Sequence, residues 1–236
     1  MKDLSFLKQN LIAHRGIHNK YPENSLEAFK EAVKKNYTIE LDVHLLNDNS
    51  IIVFHDDNLK RMAGINKKLK DLTYEEIKDI KLKNSKSKIP LLKDVLKQIK
   101  CQVPIIIELK SDRKTGLLEK ELVKILDNYK GKFCVKSFNV QSIRWFKKHR
   151  PNYIRGLLLK KKDAQNYFKT KFLLWLCKPD FLSCNYRSKN NKLIKNQHKK
   201  RVIIAWTINN DEVYLKCKDE FDNLIMDFDL DDKKHI

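Results

Sequence analysis

Glu40 and Asp42 lie two residues apart inside a short apolar run at 38–44. In a strand, residues i and i+2 project from the same face, so both carboxylates point one way. Two carboxylates buried together repel and are costly to desolvate, which calls for a cation between them. A hard divalent ion with oxygen ligands, Mg²⁺ or Ca²⁺, is one candidate; salt bridges to lysine or arginine are the other. Glu108 and Lys110 repeat the spacing behind Ile105-Ile106-Ile107. Glu108 supplies a third carboxylate, and Lys110 either faces a phosphate oxygen or pairs with its neighbours. His14 and Arg15 precede Gly16 at the end of a first strand, and His55 precedes Asp56 at the end of another. Arginine's planar fork suits phosphate, and two histidines near one phosphorus could divide general-acid and general-base work.

Those residues need a scaffold that brings distant strand ends together. Apolar, β-branched runs at 11–16, 38–44, 104–110, 132–138, 154–159, 180–184, 202–206 and 223–227 are predicted strands. Helical patterns at 25–35, 116–129, 140–149, 163–176, 189–198 and 211–218 separate most of them. Near-continuously apolar strands followed by helices indicate a parallel sheet buried on both faces. Eight such units in 236 residues fit an α/β fold of the closed (β/α)8 barrel type better than an open doubly wound sheet. The stretch 45–103, between the second and third barrel strands, is too long for one crossover helix. It is predicted to be a small insertion over the catalytic end, with a strand at 51–55 and helices near 74–80 and 91–100. The whole of 1–236 is expected to form a single domain.

Fifty Lys+Arg against 30 Asp+Glu give a net charge of +20, while 42% hydrophobic residues exclude wholesale disorder. The lysines are spread along the chain rather than gathered in one arm, so no specific nucleic-acid partner is expected. A small anionic substrate and peripheral contact with an anionic membrane are both compatible with the charge. The apolar run at 172–177 is far shorter than the ~20 residues of a membrane span. Residues 1–10 hold no stretch of signal-peptide length. Five cysteines without a C-x-x-C pair read as buried thiols in a reducing cytoplasm.

Taken in order, His14-Arg15-Gly16, Pro22-Glu23-Asn24-Ser25 with Ala28-Phe29, Glu40-Leu41-Asp42-Val43, and His55-Asp56 with Leu59 and Arg61 resemble the signature of the glycerophosphodiester phosphodiesterase family. Ile89-Pro90, Glu108-Leu109-Lys110, Ser137-Phe138 and Ala205-Trp206-Thr207-Ile208-Asn209 continue it, so the resemblance covers about residues 10 to 227. It implies a (β/α)8 barrel, a divalent metal held by Glu40, Asp42 and Glu108, and acid/base roles for His14 and His55. Arg15 and Lys110 would hold the phosphate, and Trp206 would form a wall beside the glycerol. The implied reaction is attack of the glycerol 2-hydroxyl on phosphorus, loss of the alcohol, and opening of the cyclic phosphate by water to glycerol 3-phosphate. A lysophospholipid substrate and a low-turnover regulatory protein are the alternatives.

The chain departs from the family pattern at Asn36-Tyr37, where a glycine turn is usual. It departs again in the last strand, where Asn223 and Asp227-Phe228-Asp229-Leu230 replace a glycine and an Asp-x-Pro ending. The latter change is expected to affect substrate fit rather than catalysis. Asn24 has the spacing of a helix cap, His18 is expected to border the pocket, and His44 to lie on its rim. Asp227, Asp229 and Asp231 read as a solvated acidic tail. Tyr167, Phe168, Phe172, Leu173, Trp175 and Leu176 are expected mainly in the core, with a shallow membrane contact as the alternative.

Overall fold

The computed structural model describes residues 2–83, 85–111 and 115–229. Strands β1 (Ile12–His14), β2 (Thr38–Leu45), β3 (Ile51–Val53), β4 (Ile105–Leu109), β5 (Phe133–Ser137), β6 (Arg155–Leu159), β7 (Phe181–Asn185), β8 (Val202–Ile208) and β9 (Asn223–Met226) form one sheet. All but β3 run parallel, and β1 pairs with both β9 and β2, which closes an eight-stranded barrel. β3 pairs antiparallel with β2 inside the expected insertion.

The helices are α1 (Phe6–Gln9), α2 (Leu26–Lys34), α3 (Lys60–Ala63), α4 (Tyr74–Ile77), α5 (Leu92–Ile99), α6 (Leu117–Leu126) and α7 (Val140–His149), followed by α8 (Lys161–Gln165), α9 (Tyr167–Cys177), α10 (Lys192–His198) and α11 (Asp211–Cys217). The pattern at 163–176 is thus two helices, because Asn166 leaves helical geometry and caps α9 through the Lys169 amide. The short α1 and α3 lack enough residues for a periodic signal.

Alternate residues of each barrel strand face the axis. Ile12, Ile106, Cys134, Phe181, Val202, Ile204 and Ile225 fill the interior, and Phe6 and Leu7 of α1 close it from the amino-terminal side. Asn223 fastens that plug by donating to the carbonyls of Leu7 and Asn10, at 2.9 and 2.8 Å. Its departure from glycine therefore acts on the barrel floor. The insertion has its own core, in which Leu46, Ile52, Phe54, Leu59, Met62 and Leu69 are buried together.

Gly156 on β6 is required by close packing: a Cβ there would meet the Phe181 ring at 2.3 Å. Phe181 is fully buried. We expect Gly156→Ala to cost about 1–3 kcal/mol through overpacking, read as a lower urea midpoint. A Phe181→Leu change should lose less in the Gly156→Ala background than in the wild type.

Candidate active site

The even-numbered inward residues change character toward the carboxyl ends of the strands. Register places His14 beside Glu40, Asp42 beside Glu108, and Glu108 beside Lys136. One oxygen each from Glu40, Asp42 and Glu108 lies within 4.8 Å of the others, and all three side chains are buried. Burial of three carboxylates demands counter-charge, and three cations supply it. Lys110 Nζ stands 2.5 Å from Glu108 Oε1 and 3.0 Å from Asp42 Oδ1. Lys136 Nζ stands 2.8 Å from Glu40 Oε1 and 3.4 Å from Glu108 Oε2. Arg15 Nε lies 3.2 Å from Asp42 Oδ2. Burial would raise the Asp42 carboxyl and lower both lysines, but the opposite charges win, so Asp42 is shifted down and Lys110 and Lys136 up.

The turn after β1 aims Arg15. Arg15 and Gly16 are both left-handed, with φ of 57° and 80°, which is costly for arginine and easy for glycine. A side chain at Gly16 would meet the Ala28 backbone at 2.8 Å. The Arg15 amide donates to the Glu40 carbonyl at 2.8 Å, and its guanidinium donates to Glu23 at 2.8 Å. Asn24, also left-handed at φ 57°, donates its side-chain amide to Asp42 Oδ2 at 3.0 Å. Ser25, not Asn24, caps α2, accepting from the Ala28 amide at 3.2 Å. The capping expectation for Asn24 is corrected: its amide bonds outward to a carboxylate.

His14 and His55 are each backed by a carboxylate at Nδ1. His14 Nδ1 contacts Asp227 Oδ1, with Nε2 3.9 Å from Glu40 Oε2; His55 Nδ1 is 2.6 Å from Asp56 Oδ1. Arg61 bonds Asp56 at 2.6 Å and both oxygens of Glu23 at 2.7 Å. Both His14 and His55 lie close enough to Asp42 for a proton on either ring to lower its carboxyl. His18 Nε2 reaches Asp227 Oδ1 at 3.1 Å, so His18 does border the site. His44 lies deeper than a rim residue: it is buried, and its Nε2 is 3.1 Å from the His55 carbonyl. Trp206 meets Phe138 edge to face at 5.6 Å, and its indole N–H is enclosed without a hydrogen-bond partner. A cavity of about 640 Å³ opens beside these groups, lined by Glu108, Lys110, Ser137, Phe138 and Lys160.

The solvated-tail expectation for Asp227 and Asp229 is overturned, because β9 closes against β1. Asp227 holds two imidazoles, and Asp229 is buried against Lys35 at 2.6 Å and the Tyr37 hydroxyl at 3.1 Å. Two departures from the family pattern, Tyr37 and Asp229, therefore contact one another. Asp231 lies outside the described residues. Lys136 escaped the sequence reading, although its parity with Cys134 in an apolar strand marks it as inward-facing. Asp227 carried no comparable signal.

The residues present fit a hard cation. Glu40 Oε1 and Asp42 Oδ1 are buried and accept no hydrogen bond of proper geometry, having only ion-pair contacts to Lys136 and Lys110. Oxygens of this kind are what Mg²⁺ or Ca²⁺ coordinates. The salt bridges that stood as the alternative are present too, and they share the carboxylates with that oxygen set. His14, His18 and Asp227 also converge, but their donors already bond one another.

A (β/α)8 barrel with acids, bases and fixed cations massed at the carboxyl ends of its strands belongs to the barrel enzymes. Residues 14–229 match the model of the glycerophosphoryl diester phosphodiesterase family, and the chain belongs to that family. It is 34% identical over 167 residues to a glycerophosphodiester phosphodiesterase of Caldanaerobacter subterraneus, covering 64% of this chain and 67% of that one. A crystal structure of the Thermotoga maritima glycerophosphodiester phosphodiesterase superposes with a TM-score of 0.79 at 27% identity, covering 93% of this chain and 95% of that one. A human lysophospholipase D is 35% identical over 141 residues, 54% of this chain and 44% of that protein.

The acid limb of stability reports the ionic network. Burial alone would raise the Glu23 and Asp56 carboxyls, but Arg61, with Arg15 and His55, brings each down to about 2. Their folded values lie below the unfolded ones, so this stabilisation is complete above about pH 4.5 and is lost as pH falls toward 2. We expect the urea midpoint of the wild type to fall across that window, and Glu23→Gln to flatten the fall.

Proposed function

We propose that the chain hydrolyses glycerophosphodiesters, such as glycerophosphocholine or glycerophosphoethanolamine, to glycerol 3-phosphate and an alcohol. One observation carries this reading: two carboxylate-backed imidazoles flank a cluster of three carboxylates and three cations. Glu40, Asp42 and Glu108 would hold Mg²⁺ or Ca²⁺, which when bound polarises the phosphoryl oxygens. Arg15 and Lys110 neutralise charge that develops on the phosphate in the transition state. One imidazole takes the proton of the glycerol 2-hydroxyl as its oxygen attacks phosphorus. The other gives a proton to the departing alkoxide as the old P–O bond breaks. The same pair then serves water, whose oxygen bonds to phosphorus while the bond to the glycerol 2-oxygen opens. Asp227 and Asp56 hold the two rings by Nδ1, leaving Nε2 of each for these transfers. Trp206 walls the glycerol side. The substrate is thus a small molecule rather than nucleic acid. We take the chain as one domain working in the cytoplasm, in keeping with five unpaired cysteines, of which four are buried as expected and Cys101 is exposed instead.

A second reading keeps the chemistry and changes the substrate. A cavity of about 420 Å³ adjoins Lys110, with Leu45, Leu46, Leu69, Leu117 and Leu118 in its walls. Its leucine wall suits the acyl chain of a lysophospholipid, the substrate class named for the human relative, while His44, Asn47, Asn49, Asp57, Lys68 and Lys70 keep the rest of the lining polar.

Glycerol 3-phosphate should be released from glycerophosphocholine or glycerophosphoethanolamine, and a chelator should abolish the release. His14→Ala should lower kcat by about 10²–10⁴-fold. Activity that survives both changes contradicts the mechanism. Asp227→Asn should lower kcat on the order of tenfold with KM little changed, because it loosens His14 without touching the phosphate. Faster turnover of acylated than of deacylated substrates would favour the second reading.

A further inference from the structure

Helix α9 is apolar around nearly its whole circumference. Thr170, Leu174 and Cys177 recur at i, i+4 and i+7 and are buried against the barrel. Phe168, Phe172 and Trp175 recur with the same spacing on another face, at 83%, 58% and 66% exposure. A soluble helix normally places charge there. Three exposed aromatics on one face, two of them stacked at 5.9 Å, form a contiguous apolar patch rather than scattered surface residues.

The surroundings of the patch point to its occupant. Between 160 and 178 there are six lysines and one aspartate. The aspartate, Asp163, is engaged by the Lys160 amide at 3.0 Å. Beside Trp175 a groove of about 630 Å³ runs between α7 and α9, and its walls include Arg144, Lys147, Lys148 and Lys178. Lys147 Nζ bonds the Leu176 carbonyl at 3.2 Å, which ties the groove to the end of α9. Two copies of this chain meeting symmetrically through the face would bring these lysines together, an unfavourable juxtaposition. An anionic surface that accepts aromatic rings and neutralises lysine removes both problems. We propose that the outer face of α9 docks on an anionic lipid bilayer, with Phe168, Phe172 and Trp175 entering the interface and the groove cations meeting lipid phosphates. Among the described residues no helix is long and apolar enough to cross a membrane, so the contact is peripheral. The inference is independent of the hydrolysis proposed above.

The test is co-sedimentation of the full chain with vesicles of phosphatidylglycerol and phosphatidylcholine, set against vesicles of phosphatidylcholine alone. The wild type should sediment with the anionic vesicles only, and raising salt well above about 0.1 M should release it. Replacing Phe168, Phe172 and Trp175 together by serine should lower the partition coefficient about tenfold or more. Because all three are exposed, the variant should keep the wild-type urea midpoint. Lys169→Glu with Lys171→Glu should weaken binding to anionic vesicles alone. A wild type that stays in the supernatant, or a serine variant that sediments equally, overturns the proposal. So does sedimentation velocity showing a self-associated wild type and a monomeric serine variant without vesicle binding, since the face would then join copies of the chain.

Discussion

Three carboxylates inside a closed barrel are tolerable only if each finds a positive partner within ion-pair distance. That requirement organises the carboxyl end of this molecule. From His55 the contacts pass through Asp56, Arg61, Glu23 and Arg15 to Asp42, then through Lys110, Glu108 and Lys136 to Glu40. Glu40 stands beside His14, which rests on Asp227. Acid and base alternate at nearly every step, so no single group can change charge or position without disturbing its neighbours. Such a chain holds both imidazoles in place before any substrate arrives, and preorganisation of this kind lowers a reaction barrier.

The rest of the fold serves that line. A barrel brings residues 14, 40, 108, 136 and 227 to one rim because register, not sequence distance, decides which strand ends are neighbours. Apolar side chains fill the interior below the rim, so the charged layer has water on one side and packed hydrocarbon on the other. The left-handed turn at Arg15 and Gly16 and the left-handed Asn24 bend backbone and side chains toward Asp42. Lys136 takes the deepest cation position, fully enclosed between Glu40 and Glu108.

The strands were readable because buried parallel strands are continuously apolar, and the i, i+2 spacing of Glu40, Asp42, Glu108 and Lys110 survives any error in their boundaries. What escaped depends on closure. Asp227 sits beside His14 only because β9 pairs with β1, and a string of acids near a chain end looks the same whether solvated or docked. Lys136 resembles the chain's other lysines until the parity of its strand is considered. Asn24 has a capping residue's spacing, but backbone geometry hands that role to Ser25. In α9 the apolar residues surround the axis, so periodicity could not tell that Leu174 and Cys177 meet the barrel while Tyr167, Phe168, Phe172 and Trp175 all meet solvent, which overturns the core placement expected for these aromatics.

In the proposed site Glu40, Asp42 and Glu108 would share one divalent ion despite the lysines beside them. Crystals soaked in Mn²⁺, as a stand-in for Mg²⁺, offer the most direct measurement, because the ion's anomalous scattering marks its position. A single peak bounded by those three carboxylates, absent from Glu40→Gln crystals, is the result expected. A peak among His14, His18 and Asp227 instead, or none while Lys110 and Lys136 still bridge the acids, would contradict it.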